Sequence, residues 1–233
     1  YADGDARRLL NTLETLAMAA QREQRALVSD DWLLKVLGER MRRYDKGGEQ
    51  FYDTISALHK SVRGSDPNAA LYWLVRMLDG GVDPRYITRR LIRMAAEDIG
   101  LADPRALRFA LDAADVYERL GSPEGELALA ECVVYLAVAP KSNAVTRAIF
   151  AARASVRERG ALRPPTALRD AHYAGAKKLG HGKDYDYPHQ HPGGYAPQDY
   201  GIPRGRYYTP SDRGKEAEFR ARLAELDRID RGA

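Results

Sequence analysis

The chain has 233 residues, 44% of them apolar and 30% charged, and the charges nearly cancel to a formal +4. That apolar share supports a packed core in one medium domain or two small ones, while the positive excess is too small to mark nucleic-acid binding by itself. No apolar run approaches the ~20 residues that span a bilayer, and no leader pattern opens the chain, so neither insertion nor export is expected.

The chain starts at Tyr1 without a methionine and enters a helical pattern within a few residues, so it reads as a piece of a longer protein. Asp5 stands where a cap would, ahead of a stripe of Leu9, Leu10, Leu13 and Leu16. Arg7 and Arg8 follow in the first turn, where the helix dipole disfavours cations unless an anion is delivered to that end. Asp30 or Asp31 is expected to cap a second helix carrying Leu33, Val36 and Leu37, and Lys46-Gly47-Gly48 reads as a linker.

A run of short-looped helices comes next. Phe51, Ile55, Leu58 and Val62 recur at helical spacing, as do Ala70, Leu71, Leu74, Met77 and Leu78, and then Ile87, Leu91, Ala95 and Ile99. Asp66-Pro67, Asp83-Pro84, Asp103-Pro104 and Ser122-Pro123 each put a side-chain acceptor before a proline. Proline fits the first helical position because its missing N–H would be unpaired there. Gly80-Gly81, Gly100 and Gly121 stand ready to end the preceding helices. Further helices are predicted near 104–119, 123–138 and 143–159. With no strand alternation anywhere, the fold class is all-α. Cys132 sits in an apolar stretch and reads as a buried, inert thiol, which suits a reducing cytoplasm.

Beyond about residue 160 the composition changes. The stretch 181–210 is rich in Gly and Pro and carries Tyr185, Tyr187, Tyr195, Tyr200, Tyr207 and Tyr208. A loop with so many rings is expected to lie over the bundle, with rings buried and hydroxyls wet. Phe219, Leu223 and Leu226 predict a last helix near 212–229.

No phosphate-loop, His-Glu-x-x-His, Cys-x-x-Cys or Gly-x-Ser-x-Gly motif occurs, so no complete active site is expected in this chain. His181, His189 and His191 lie in the loop without the spacing of a dedicated metal site, and no metal is expected. Glu97 and Asp98 diverge as helix neighbours, and Glu97 is expected to pair with Arg93 one turn earlier. Two basic groups carry competing readings. Lys60 and Arg63 sit at one helix end, and Arg89, Arg90 and Arg93 on another helix. Both groups suit phosphate contact, and both equally suit dipole compensation or ion pairs. Tyr72 and Trp73 are candidate interface anchors.

Particular stretches carry a resemblance. Residues 4–14, with Arg7, resemble the sensor-2 helix of clamp-loader-type AAA+ ATPases. Residues 51–67, which include His59, Lys60 and Arg63, are similar to the replication-associated recombination protein A (RarA or MgsA) family, kin to the Werner helicase-interacting protein. So are residues 69–74, 96–104, 135–144 and 206–210.

The resemblance implies that 1–47 is the AAA+ lid and 48–233 an oligomerisation collar that includes the 181–210 loop. It implies a homotetrameric, DNA-dependent ATPase at replication forks, cytoplasmic and nucleoid-associated, partnered by single-stranded-DNA-binding protein. ATP and Mg belong to the intact protein, where Arg7 reaches the nucleotide phosphates. A DNA-binding helical module that uses the basic faces is the alternative.

Overall fold

The computed structural model describes residues 6–25, 27–38, 49–173 and 175–232, leaving out the side chains of 6–8, 11, 15, 37–38, 49–50 and 177. Helix α1 (Ala6–Arg22) and helix α2 (Asp30–Gly38) pack through Leu16 and Trp32. The Trp32 indole N–H donates to Glu23 Oε2 at 2.8 Å, which gives the ring a polar anchor on the turn between the two helices. The cap of α2 differs from expectation. Ser29, one residue upstream of both aspartates, accepts from Trp32 N at 3.3 Å. Asp5 and the 46–48 linker lie outside the described residues.

The main bundle comprises α3 (Glu49–Arg63), α4 (Pro67–Asp79), α5 (Pro84–Met94), α6 (Arg105–Leu120) and α7 (Glu126–Val138). Asp66 accepts from Ala69 N and Asp83 from Arg85 N, both at 2.9 Å, so proline falls at the first helical position as the pattern requires. The Ser122-Pro123 pair behaves differently. Ser122 Oγ lies 3.0 Å from the Tyr117 hydroxyl, and Gly125 N bonds Gly121 O, so a turn occupies these residues and α7 starts only at Glu126.

The apolar stripes meet in one core. Leu58 and Val62 of α3, Leu74 and Met77 of α4, Ile87 and Leu91 of α5, and Leu129 and Leu136 of α7 are fully or almost fully buried. Burying each such side chain contributes about 1.5–3 kcal/mol. On α6 the buried face is Ala106, Ala110 and Ala113, small residues that let it lie close against α7. Cys132 is wholly buried, and that burial pushes its thiol up to about 12.

Between α5 and α6 the backbone widens into a π-helical turn (Ala95–Ile99) followed by a 3₁₀ turn (Gly100–Ala102). Helix α8 (Ala144–Arg159) meets the bundle near that 3₁₀ turn and leaves most of its length uncovered. A long arm with short 3₁₀ turns then leads to helix α9 (Glu216–Asp230). In the arm, Tyr185, Tyr187 and Tyr200 keep their rings exposed, against the expectation of burial. Tyr195 and Tyr208 instead use their hydroxyls as anchors, on Asp230 and Glu216 respectively. No strand occurs among the described residues, and no helix there is long and apolar enough to cross a membrane.

Candidate functional site

The π turn places two neighbouring carboxylates where an α-helix would splay them. Asp98 points inward to α3. His59 Nε2 lies 2.5 Å from its Oδ2, and Arg63 Nε donates to its Oδ1 at 2.7 Å. Nε2 also lies 3.1 Å from Arg63 Nη2, but one ring nitrogen cannot donate to the carboxylate and accept from a guanidinium at once. The carboxylate assigns the Nε2 proton to itself, and the Arg63 contact is then only electrostatic. Burial pushes Asp98 up, yet the hydrogen bonds from His59 and Arg63 outweigh it and hold the carboxyl below its ordinary range. The same bond to Asp98 raises Arg63. A carboxylate so held serves as an anchor for cations and not as a proton acceptor.

Glu97 pairs with Arg93 at 2.8 Å, as expected from their spacing, and also approaches Arg63 at 3.8 Å. The two carboxylates therefore do share a partner, which departs from the expectation that they diverge. The inserted residue of the π turn is the reason.

Above Asp98 lies a cavity of about 250 Å³ between α3 and α5. His59, Lys60 and Arg63 form its α3 wall with Tyr52, and Tyr86 and Arg90 form its α5 wall. Spacings of three and four residues put each set on one helix face. Lys60 makes no ion pair among the described residues, and the Arg90 Nε is buried there without a hydrogen-bond partner. Of the other basic candidates, Arg89 lies outside the cavity with its guanidinium 5.7 Å from the Tyr86 ring centre, and Arg93 is engaged by Glu97.

The opposite side of the π turn carries a second hub. Ser142 N donates to the Asp98 carbonyl at 2.8 Å, and Thr146 Oγ1 to the Glu97 carbonyl at 3.3 Å, which ties the start of α8 to the turn. Gly100, at φ +53°, permits this approach, because a Cβ there would lie 2.8 Å from Ser142 O. Lys141 Nζ donates to the carbonyls of Ala137 and Ala139 and so closes the C-terminal end of α7. Burial pushes that ammonium down, and Asp98 acts the other way.

The Glu216 carboxylate is fully buried. It accepts from Ser142 Oγ at 2.5 Å, from Ser211 N at 2.9 Å and Oγ at 2.6 Å, and from Tyr208 at 3.0 Å. Burial pushes Glu216 up, but the bonds from Ser142 and Ser211 prevail and keep it below its ordinary value. Its place at the start of α9 adds a favourable dipole. Gly214 (φ +51°) lets the chain press on Ala102, whose carbonyl a Cβ would strike, and Lys215 N donates to that carbonyl at 2.8 Å.

Among the remaining candidates, Tyr72 is 61% exposed and stands edge-on to Trp73, which is half-buried and packs on the core. The Arg7 side chain lies outside the described residues. His191 pairs with Asp186 at 2.5 Å, His181 contacts the Tyr173 hydroxyl, and His189 stacks near Tyr187. No group of three metal-ligating side chains occurs among the described residues. The reading of residue types missed His59, Asp98 and Glu216 as structural anchors. For His59 and Arg63 the available signal was their spacing of four on the face that carries Tyr52.

A large apolar surface completes the inventory. Val145, Ile149 and Val156 line one face of α8 and stand exposed, with Phe150 beside them at 60% exposure. Leu107 and Leu111 of α6 and Val138 of α7 are exposed as well.

Known proteins share this sequence. The family described as "MgsA AAA+ ATPase C terminal" matches residues 64–227, and "AAA C-terminal domain" matches residues 1–63. Replication-associated recombination protein A of Coxiella burnetii is 55% identical over 96% of this chain and 52% of its own length. The Escherichia coli K12 protein of the same name is 45% identical over 99% of this chain and 53% of its own. ATPase WRNIP1 of Dictyostelium discoideum is 43% identical over 81% of this chain and 23% of its own. The chain thus spans about half the length of the two bacterial relatives. On these matches and its all-α architecture, the chain belongs to the MgsA C-terminal family of AAA+ ATPases.

Proposed function

We propose that this chain is the assembly collar of a longer ATP-driven protein that works on DNA in replication-associated recombination, and that it forms a homotetramer. The observation that carries the reading is α8. It touches the bundle at one end and leaves Val145, Ile149, Phe150 and Val156 in water. A 16-residue helix with that face uncovered is unfavourable in a monomer, and a second copy of the chain is the occupant that a closed symmetric assembly supplies. The hub of Asp98, Ser142 and Glu216 fixes the base of α8, so the apolar face is presented rigidly.

The proposed division of labour puts the AAA+ lid at 1–47 and the collar at 48–233. The packing of α3 on α4 supports it, because α3 shares the collar's core. ATP and Mg are bound by the rest of the longer protein, and Arg7 is the phosphate contact this chain would add. DNA and single-stranded-DNA-binding protein are the proposed partners of the intact molecule, at the nucleoid. Tyr72 is a second proposed anchor, because it is exposed on the outer face of α4 beside Val75.

The test is Ile149→Glu, which puts a charge in the centre of the α8 face. Size-exclusion chromatography should show dissociation, with the helical circular dichroism retained, because Ile149 is outside the core. An unchanged elution volume would place the interface elsewhere.

A further inference from the structure

The cavity between α3 and α5 has a charge balance that the bundle does not use. Arg63 is matched by Asp98, and Arg93 by Glu97. Lys60 and Arg90 have no carboxylate within ion-pair distance among the described residues, and Arg90 keeps a buried N–H without an acceptor. Two uncompensated cations facing one hollow of about 250 Å³ call for an oxyanion, and the idle Nε is a donor an oxygen would satisfy.

The aromatic groups narrow the ligand. Tyr52 stands on the cavity wall with 59% of its surface exposed. Its edge is held by Phe51, the rings 5.4 Å apart at 84°, and Phe51 in turn packs on Tyr86 at 4.9 Å. The ring is therefore fixed in place with a face left free, beside the cations. That combination suits a phosphate with a planar base next to it. A duplex offers phosphates but keeps its bases stacked, and an acidic peptide has no use for the ring.

We propose that this cavity holds one nucleotide of a single-stranded nucleic acid, its phosphate between Lys60 and Arg90 and its base on Tyr52. Arg63, fixed by Asp98, forms the floor. The site lies on α3 and α5, away from the α8 face, so it goes beyond the assembly reading and does not depend on it.

The experiment is fluorescence anisotropy with short labelled deoxythymidine and uridine oligomers on the 233-residue chain, the mass being measured in parallel. Binding by either oligomer is expected, and the pair tells whether the sugar is read. Lys60→Gln with Arg90→Gln should lower the slope of log affinity against log salt by about 1.4, at ~0.7 for each lost phosphate contact. Tyr52→Ala, at an exposed side chain, should weaken binding at least about five-fold. Arg119→Gln, on the far end of α6, should leave it unchanged. The proposal is overturned if the wild type binds neither oligomer, or if the double variant or Tyr52→Ala, with native circular dichroism, binds as the wild type does. Displacement of the oligomers by polyglutamate at lower concentration than by an unlabelled strand would also overturn it, in favour of an acidic peptide.

Discussion

Asp98 connects more of the molecule than any other side chain, because its carboxylate holds α3 and its carbonyl holds Ser142. Asp98→Asn would turn one accepting oxygen into a donor facing His59 or Arg63, at a cost of about 2 kcal/mol in chemical unfolding. The pH dependence follows from the direction of the shifts. Asp98, Glu216 and Asp103 all have folded-state values below their ordinary ones, and Asp103 is held at about 2, chiefly by Arg105. Their stabilisation is complete above the unfolded carboxylate range and fades as pH falls through the folded values. For Asp103 that window runs from 3.8 down to about 2. Thermal melts should therefore be flat with respect to these groups near neutrality and lose midpoint below about pH 4. Asp98→Asn should flatten that acid limb. Cys132 gives a second check, because its burial and raised value predict negligible reaction with a thiol reagent until the chain unfolds.

The arm is the element whose order depends most on a few contacts. Glu216→Gln keeps the size but removes the charge that Ser142, Ser211 and Tyr208 stabilise, and Gly214→Ala would force the backbone away from Ala102. Both changes should raise hydrogen exchange in 207–216 and at the start of α8, while the α4 and α7 amides keep their protection. An arm that stays protected in both variants would show that other contacts hold it. These contacts also mark the limit of what periodicity reveals. The helices of the bundle were legible because Ile55, Leu58 and Val62, or Ala70, Leu74 and Met77, repeat at the spacing a buried face demands. The Asp66 and Asp83 caps were legible for the same local reason. The π turn was not, since one inserted residue leaves no periodic trace over five positions. Asp98 and Glu216 then read as solvated charges, because their partners lie 39 and 74 residues away in the chain. Of the basic candidates, sequence spacing grouped Arg89, Arg90 and Arg93, but Tyr86 and Glu97 divert the outer two and only Arg90 reaches the cavity.

At the scale of the whole molecule, the bundle presents α8 as a stiff apolar projection on a base locked by Asp98, Ser142 and Glu216. This arrangement makes sense as one side of a subunit contact. Its apolar character sets the salt response: screening weakens ion pairs between subunits but leaves apolar burial intact or slightly favoured. Light scattering on the 233-residue chain, across concentration and salt, tests this most directly. The account predicts a mass of four times the 26.0 kDa chain that persists at high salt and is lost in Ile149→Glu. A chain that stays at 26.0 kDa across all concentrations would contradict it.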